Sequence, residues 1–463
     1  MSKSGNPRTG EPPRIGSLPE GERIQRQQWT TFAGATLGWG LEGFDIALFA
    51  LILGPAVTEL LGPGASSGDI VFHIGLSVTI FLLGWTLGAV FFGVIADYFG
   101  RVWVLSLGVL MYAVFTGAAA LAHEYWLFAL MRFVAGLGSG VEGPVGAVLV
   151  AESWRNKYRA RATGIMLSGY AAGYFIASLV YSAMNAAGWR WTLTTALAPA
   201  LLVLFIRRFV PEPEISKQVQ TSRRQGAKSG APGIDRRFVL ARLLSPPLRR
   251  KMLCCILIQA GALFAFWSMT TWMPQLIRNV STSEGNTGGI VASHVAMATA
   301  LLYLGCIAGY AGFGFIADAI GRKWAFHVGL IVSAISIGFL FPFSHSFSTF
   351  LWALPLVGFG VCTTVGGGFV YFPEVFPASV RTSGLAMANS VGRLFTVPGP
   401  LVAGAIATKW FDGNLGTAIA ATSCLLVLSL IGVLLADETR GLGLAEDSVE
   451  HDVPVGGAPA PSL

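Results

Sequence analysis

The stretch GVIADYFGRVW, which begins at Gly93, recurs as GFIADAIGRKW, which begins at Gly314, 221 residues further along the chain. Seven positions are identical in the two copies and keep the same spacing. They are Gly93, Ile95, Ala96, Asp97, Gly100, Arg101 and Trp103 in the first copy, and Gly314, Ile316, Ala317, Asp318, Gly321, Arg322 and Trp324 in the second. Each copy lies in a short polar break between long apolar stretches. A repeat with so long a period predicts a chain built from two related halves.

The composition is that of a membrane protein. Of the 463 residues, 53% are hydrophobic and 12% are charged, whereas a soluble domain carries about 25% charged residues. Duplicated halves made of hydrophobic segments are typical of membrane transporters, in which the substrate site lies at the seam between the halves. The sequence lacks the signatures of nucleotide hydrolysis, zinc proteolysis and serine-nucleophile chemistry. We therefore expect neither enzymatic activity nor a cofactor.

Twelve apolar runs are each long enough to cross a hydrocarbon core of about 30 Å as a helix. The predicted spans are 29–54, 71–95, 103–122, 125–151, 162–186, 190–210, 251–278, 289–317, 324–343, 347–371, 383–408 and 414–436. We predict an all-α membrane protein whose twelve transmembrane helices form two pseudo-symmetric six-helix bundles. The predicted domains are a disordered cytoplasmic N-tail over 1–28, the first bundle over 29–210, a cytoplasmic linker over 211–250, the second bundle over 251–436 and a cytoplasmic C-tail over 437–463.

The basic residues indicate the orientation in the membrane. Placing the N-terminus in the cytoplasm puts 26 of the 31 Lys and Arg residues on the cytoplasmic side, as the positive-inside rule requires. Arg190, Arg278 and Lys409 then fall outside, and Arg132 and Arg393 lie within spans. Both termini are therefore predicted to be cytoplasmic. Because topology and attraction to anionic lipid explain the net charge of +7, we expect the lipid bilayer, and no nucleic acid, as a partner.

Several carboxyl groups are predicted to lie inside the membrane, where an ionisable residue costs at least about 2.5 kcal/mol and needs a partner or a function. Asp45 and Arg132 lie about 13 Å and about 10 Å from the outer ends of spans 1 and 4, so we predict that they form an ion pair. Protonation of Asp45 would loosen this pair, which makes Asp45 the first candidate for a coupling proton, followed by Glu142 and then Glu42. Alternatively, Asp45–Arg132 is a permanent clamp, and Glu142 is a hydrogen-bonded carboxyl near a break at Pro144.

Arg393 lies about 15 Å into span 11, close to the middle of the membrane, with Asn389 one turn before it. No carboxylate of the second half is an obvious partner. A guanidinium that faces a cavity can bind a carboxylate through two parallel hydrogen bonds, so we predict that Arg393 and Asn389 bind an anionic substrate. Alternatively, backbone carbonyls of a helix broken by Pro398 and Pro400 satisfy the guanidinium.

Neutral residues on other spans are candidates for the rest of a substrate pocket. Span 7 offers Gln259, span 8 offers Tyr303, and span 5 carries Tyr170 and Tyr174 one helical turn apart. The alternative for each aromatic residue is packing against lipid or between helices.

The twelve spans and the paired G-x-x-x-D-x-x-G-R motif resemble the major facilitator superfamily over about 29–440. RFVAGLGSGVEGPVGAVLVAE (132–152) resembles the fourth-helix signature of that family, and PEVFPASVRTSG (373–384) is similar to its segment between helices 10 and 11. PEPE (211–214) and DETRG (437–441) resemble the ends of helices 6 and 12. The resemblance implies transport by alternating access.

The resemblance also implies a gate at the inner ends of the spans, where charged residues pair with neighbouring helix ends to hold the outward-open state. These predicted gate residues are Asp97, Arg101, Glu152, Arg161, Asp318, Arg322, Glu374 and Arg381.

Three features indicate a subgroup of the family. EGFD (42–45) resembles the acidic first-helix motif of organic-acid and aromatic-acid proton symporters, and GVEGPVG (140–146) is similar to a motif of metabolite and sialic-acid symporters. The fifth span lacks the Gly-Pro…Gly-Gly signature of drug/proton antiporters. The resemblance implies a monomer of the bacterial inner membrane that imports a small organic anion (a monocarboxylate, sugar acid or aromatic acid) together with protons. An exporter or antiporter of metabolites or drugs and a non-transporting receptor are the alternatives.

Overall fold

The computed structural model is all-helical over the residues that it describes. These residues are 26–184, 187–210, 212, 216–217, 221, 239–340, 346–396, 409–411, 414–442 and 444. The described part of the chain contains no β-strand.

The first half contains eight described helical segments. They are α1 (Arg26–Leu61), α2 (Ser67–Phe99), α3 (Arg101–Ala119), α4 (Tyr125–Ser139), α5 (Glu142–Ser153), α6 (Asn156–Met184), α7 (Trp189–Thr194) and α8 (Ala200–Phe209). α4 and α5 cross the protein as one span that is interrupted at Gly140 and Val141. Because α1 begins at Arg26, the prediction of a disordered tail over 1–28 is wrong for its last three residues.

The second half repeats this layout. Its segments are α9 (Val239–Leu243), α10 (Pro246–Ser283), α11 (Gly288–Ile320), α12 (Arg322–Ile335), α13 (Phe347–Val375), α14 (Arg381–Leu394), α15 (Leu415–Ser423) and α16 (Leu426–Leu435). α10 starts five residues before its predicted span and inside the predicted linker, with Pro246 at the first helical position, where the missing N–H is harmless. Helices extend past the predicted spans because hydropathy detects only the hydrocarbon-crossing part.

Within the described residues, 10 helices are long and apolar enough to cross a membrane, and the protein is a multi-pass membrane protein. The predicted spans 9 and 11 are helical over 322–340 and 381–394, residues 395–396 form a turn, and both spans continue into residues outside the described ranges. The count of twelve spans therefore stays a prediction.

Exposed tryptophans form two belts, as expected at the two membrane–water interfaces. Trp103 and Trp324, the last residues of the two repeats, are 45% and 63% exposed at one end of the bundle. Trp126, Trp191 and Trp352 are exposed near the opposite ends of their helices. The end that carries Gly100 and Gly321 is called the repeat end below.

Each repeat reverses the chain at one glycine. Gly100 (φ 111°) separates α2 from α3, and Gly321 (φ 103°) separates α11 from α12. These φ values lie in the region that residues with a Cβ rarely adopt. Gly100 and Gly321 are therefore required by the turn between two consecutive membrane-crossing helices.

Two seams join the halves at the repeat end: α6 packs against α11, and α2 packs against α14. A Cβ added to Gly314 would lie 2.3 Å from the Ala160 carbonyl oxygen, and one added to Gly164 would lie 2.6 Å from that of Tyr310. Small residues at these positions let the backbones of α6 and α11 touch. The seams therefore close the repeat end by direct backbone contact.

We expect Gly314→Val to open the repeat end, because the valine side chain would overlap the Ala160 carbonyl oxygen. In protein carrying Cys424→Ser and Thr163→Cys, maleimide labelling of the buried position 163 should rise several-fold when Gly314 is also replaced. Gly75→Val is the matched control, because no atom lies within 4 Å of a Cβ placed there. Equal labelling in the two valine variants would show that glycine contact does not close the seam.

Candidate functional site

The Asp45–Arg132 contact predicted from depth is present in the first half. Arg132 Nη2 donates to Asp45 Oδ2 at 3.3 Å, and both side chains are fully buried. Arg132 Nη1 also donates to Thr116 Oγ1 at 2.5 Å. The guanidinium carbon lies 4.0 Å from the ring centre of Phe49 and 4.6 Å from that of Phe81. Arg132 thus has three supporting contacts besides Asp45, one hydrogen bond and two cation–π contacts, and sequence analysis identified none of them.

Glu42 and Glu142 are buried carboxyl groups with no hydrogen-bond partner. They are 0% and 1% exposed, and among the described residues neither oxygen of either group accepts or donates a hydrogen bond. A Cβ added to Gly38 would lie 1.7 Å from Glu142 Oε1, so this carboxyl rests against the backbone of α1. The alternative of a hydrogen-bonded Glu142 beside a break at Pro144 is therefore wrong, because the described chain offers no partner and the helix is interrupted at Gly140 instead.

Arg393 lies at the seam between α14 and α2, with an exposure of 6%. Its guanidinium carbon sits 3.8 Å from the ring centre of Trp85, a residue of the first half. Its Nε has no hydrogen-bond partner among the described residues. Residues 397–408, with the prolines proposed as an alternative, lie outside the described ranges.

Two amides accompany Arg393. Gln259 Nε2 donates to Asn389 Oδ1 at 3.3 Å, and both residues are buried. Gln259 Oε1 has no partner in the described part of the chain. Asn389 and Arg393 lie one turn apart on α14, so the structure brings Gln259, Asn389 and Arg393 to one region. A free amide oxygen and a free guanidinium N–H are suited to a polar ligand.

Aromatic rings from both halves surround this centre. The Tyr170 and Tyr174 hydroxyls are 3.5 Å apart, and the Tyr174 ring stacks on that of Tyr303 across the α6–α11 seam, with centres 4.9 Å apart. Trp39, which sequence analysis missed, lies between the Tyr170 and Phe369 rings, with centres at 5.0 Å and 5.7 Å. The predicted tyrosines therefore lie between the halves and do not face lipid.

Three predicted gate residues of the first half, Asp97, Arg101 and Glu152, form one buried network at the repeat end. Arg101 Nη2 donates to Asp97 Oδ1 at 3.3 Å and to Glu152 Oε1 at 3.2 Å. Arg381 of the second half reaches the same Glu152 oxygen at 2.7 Å. Asp97 in turn accepts hydrogen bonds from the backbone N–H and the hydroxyl of Ser383, at 2.8 Å and 2.7 Å. This network therefore ties α2 and α5 to α14.

The remaining gate residues form a second network in which one ion pair joins the halves. Arg161 Nε lies 3.0 Å from Asp318 Oδ2 across the α6–α11 seam. Arg322 pairs with Asp318 at 3.5 Å and with Glu374 at 2.9 Å within the second half. Arg161 is 40% exposed whereas the first network is buried, so the two seams are unequal in strength.

Two glutamates outside the predicted set anchor the repeats. Glu212 accepts from the backbone N–H groups of Arg101 and Val102, at 2.7 Å and 2.9 Å. Glu438 accepts from those of Arg322 and Lys323, at 2.9 Å and 3.0 Å. Each carboxylate caps the N-terminus of a helix that has free backbone donors there. Glu212 belongs to the PEPE motif and Glu438 to the DETRG motif, so the sequence motifs that could have identified these two capping residues were already recognised.

The described residues contain no group of His, Cys, Asp and Glu that could hold a metal ion. What the geometry provides instead is a centre of buried charges and aromatic rings between two halves that touch firmly at one end. These features are typical of a membrane transporter built from two halves.

The chain belongs to the Major Facilitator Superfamily, whose family model matches residues 35–293 and 281–457. It is therefore a membrane transporter and not an enzyme, as predicted. The solved structure of the proton:xylose symporter XylE superposes with a TM-score of 0.74 at 18% identity, covering 91% of this chain and 98% of that one, and shows the same fold.

Curated relatives include transporters of organic acids. The niacin transporter NiaP of Acinetobacter baylyi is 29% identical over 92% of this chain and 97% of its own length. The cis,cis-muconate transport protein of the same organism is 28% identical over 81% of this chain and 88% of its own length. These relatives agree with the resemblance to organic-acid symporters.

We expect Glu152→Gln to destabilise the closed repeat end, because it removes the shared negative partner of two buried arginines. Breaking a buried ion pair costs about 3–5 kcal/mol, which should lower the Tm in detergent and raise labelling of the Thr163→Cys probe. Glu59→Gln is the control, since Glu59 is 55% exposed in its pair with Arg190 and should contribute at most about 1 kcal/mol. Equal effects of the two substitutions on the Tm would contradict the assigned role of Glu152.

Proposed function

We propose that this protein is a proton-coupled symporter that takes up a small organic anion across the bacterial inner membrane by alternating access. The observation that carries the proposal is a buried guanidinium, Arg393, whose Nε has no hydrogen-bond partner among the described residues. An intramembrane charge of this kind is by default a functional group. A carboxylate brought in by a substrate supplies the missing acceptor through charge-assisted hydrogen bonds.

The site accommodates an anion with an apolar body. Arg393 binds the carboxylate, and the Asn389–Gln259 pair offers amide groups beside it. Tyr170, Tyr174, Tyr303 and Trp39 provide ring surfaces. Niacin and cis,cis-muconate, after which two relatives are named, are carboxylates with planar unsaturated skeletons. These observations support a small organic anion, namely a monocarboxylate, a sugar acid or an aromatic acid.

The coupling proton is assigned to the three carboxyls of the first half. Glu42 and Asp45 lie on α1 and Glu142 lies on α5, and all three side chains are buried. Among the described residues, Glu42 and Glu142 have no hydrogen-bond partner to stabilise an ionised form. Arg132 keeps Thr116, Phe49 and Phe81 as partners when Asp45 is protonated. These contacts support a switch at Asp45–Arg132 rather than a permanent clamp.

Alternating access follows from the two seams. We place the repeat end in the cytoplasm, in agreement with the distribution of basic residues, so its closed networks correspond to a shut inner gate. Release of the anion requires separation of α2 from α14 and of α6 from α11. The proton gradient supplies the energy, and the protein works as a monomer in the lipid bilayer without a cofactor.

Arg393→Ala should abolish binding of the anion, because it removes the only guanidinium that we place at the site. We expect a loss of at least about 100-fold in affinity, or about 2.7 kcal/mol. Arg393→Lys should recover only part of it, since an ammonium group cannot form two parallel hydrogen bonds. Thermal-shift titration of the purified protein with a panel of carboxylates gives the affinities. Unchanged affinity in Arg393→Ala would refute the assigned role.

Glu142→Gln and Asp45→Asn should separate transport from the proton gradient. A carboxyl that cannot ionise leaves exchange of the anion across the membrane intact but prevents its accumulation. Uptake into proteoliposomes, with and without an imposed pH gradient, measures both activities. Asp69→Asn is the control, because the Asp69 carboxylate only accepts hydrogen bonds from Ser66 at the exposed start of α2 and the variant should keep gradient-driven accumulation. If all three variants accumulate the anion like the parent, the coupling proton binds elsewhere.

An absence of gradient-driven uptake in the parent would favour an exporter or a receptor.

A further inference from the structure

We propose that Trp85 is a positioning residue for Arg393 and makes the affinity for the anion depend on closure of the repeat end. This inference rests on the proposed function, in which Arg393 binds the carboxylate. Trp85 lies on α2 in the first half and Arg393 on α14 in the second. The residue that holds the guanidinium and the residue that carries it therefore belong to different halves.

The contact orients the guanidinium. The Arg393 guanidinium carbon lies 3.8 Å from the ring centre of Trp85, and Trp85 itself is only 3% exposed. A cation above an indole face is attracted by the ring, and the donors of a guanidinium lie in its plane. A ring that covers one face leaves the edge of the guanidinium for two parallel hydrogen bonds to a carboxylate. Without the ring, the same side chain is free to point elsewhere.

Trp85 is fixed within the first half. A Cβ added to Gly140 would lie 2.4 Å from the Trp85 carbonyl oxygen and 2.3 Å from the Ala89 backbone N, so α2 and the α4–α5 span touch along their backbones. The Phe81 ring lies 5.9 Å from the Trp85 ring on the same helix. Trp85 therefore moves with the first half when the halves rotate relative to each other.

The Trp85–Arg393 contact continues the α2–α14 seam from the gate towards the middle of the membrane. Ser383 donates to Asp97 at the repeat end, and a Cβ on Gly93 would lie 2.7 Å from that of Ala386. Moving away from the repeat end along both helices leads to Trp85 and Arg393. Separation at Asp97 and Gly93 must therefore also withdraw the ring from the guanidinium. The anion is then bound tightly while the inner gate is shut and weakly once it opens.

The other seam lacks this property. Tyr174 and Tyr303 stack on each other at the corresponding position between α6 and α11, and both side chains are uncharged. Opening of the α6–α11 seam thus changes the shape of the site and leaves the anion-binding charge untouched. Trp85 is therefore the residue through which we expect closure of the repeat end to change the affinity for the anion.

The test measures nicotinate and cis,cis-muconate affinities by thermal shift in full-length protein. Trp85→Leu should weaken binding about tenfold in the parent, or about 1.4 kcal/mol, and should have little effect when combined with Glu152→Gln, which weakens the closed α2–α14 seam. Trp85→Phe keeps a ring and should lose less affinity than Trp85→Leu. Phe91→Leu is the control on the same helix, because Phe91 is 61% exposed and packs outside the seam.

The outcomes distinguish the two levels of the proposal. If Arg393→Ala loses binding but both Trp85 variants bind like the parent, Trp85 has no positioning role and only this inference fails. An equal loss from Trp85→Leu in the Glu152→Gln background would also overturn it, because affinity would then not depend on closure. Normal binding in Arg393→Ala, or no binding of either carboxylate to the parent, would refute the proposed function itself.

Discussion

The cost of keeping charged groups in a hydrocarbon-like interior constrains every other feature of this protein. Asp45, Arg132, Asp97, Arg101 and Arg393 are each almost completely buried, and an unpaired charge at such a position costs several kcal/mol. Most of these groups obtain partners from other helices, and several obtain them from the other half. The charges therefore determine which helices must touch. Because a partner can be exchanged, the same charges allow the contacts to change during transport.

Close backbone contact complements this pairing. Gly164 and Gly314 let α6 and α11 touch, and Gly93 lets α2 meet α14. Small residues make such interfaces tight without polar side chains, so the seams are held by packing and the gates by charge. The two gates differ, because Asp97 and Glu152 are sealed from solvent whereas Arg161 is partly exposed. The seam that carries Arg393 is thus the more strongly closed of the two.

Part of the candidate site could be predicted from single helices and from the repeated motif. Matching depths along the spans, together with the resemblance, paired Asp45 with Arg132, and the resemblance of the repeated motif implied gate roles for Asp97 and Arg322. Sequence analysis missed Trp85, Trp39 and Thr116, because hydrophobic and hydroxyl side chains are common in membrane helices and nothing in the sequence distinguishes the few that face a charge. Glu212 and Glu438 lay within recognised motifs, yet their capping contacts depend on how the chain ends meet the repeats.

The sequence by itself determined the membrane setting, the two-half organisation and the presence of costly charges at membrane depth, because hydropathy, repeat spacing and helix geometry are local properties of the chain. Only the tertiary structure decided which side chains meet those charges. The rotation of a helix about its axis and the distance between helices of different halves cannot be predicted from the sequence of either helix alone. Helix rotation and helix separation together place Arg393 over Trp85. They also leave Glu42 and Glu142 without hydrogen-bond partners among the described residues.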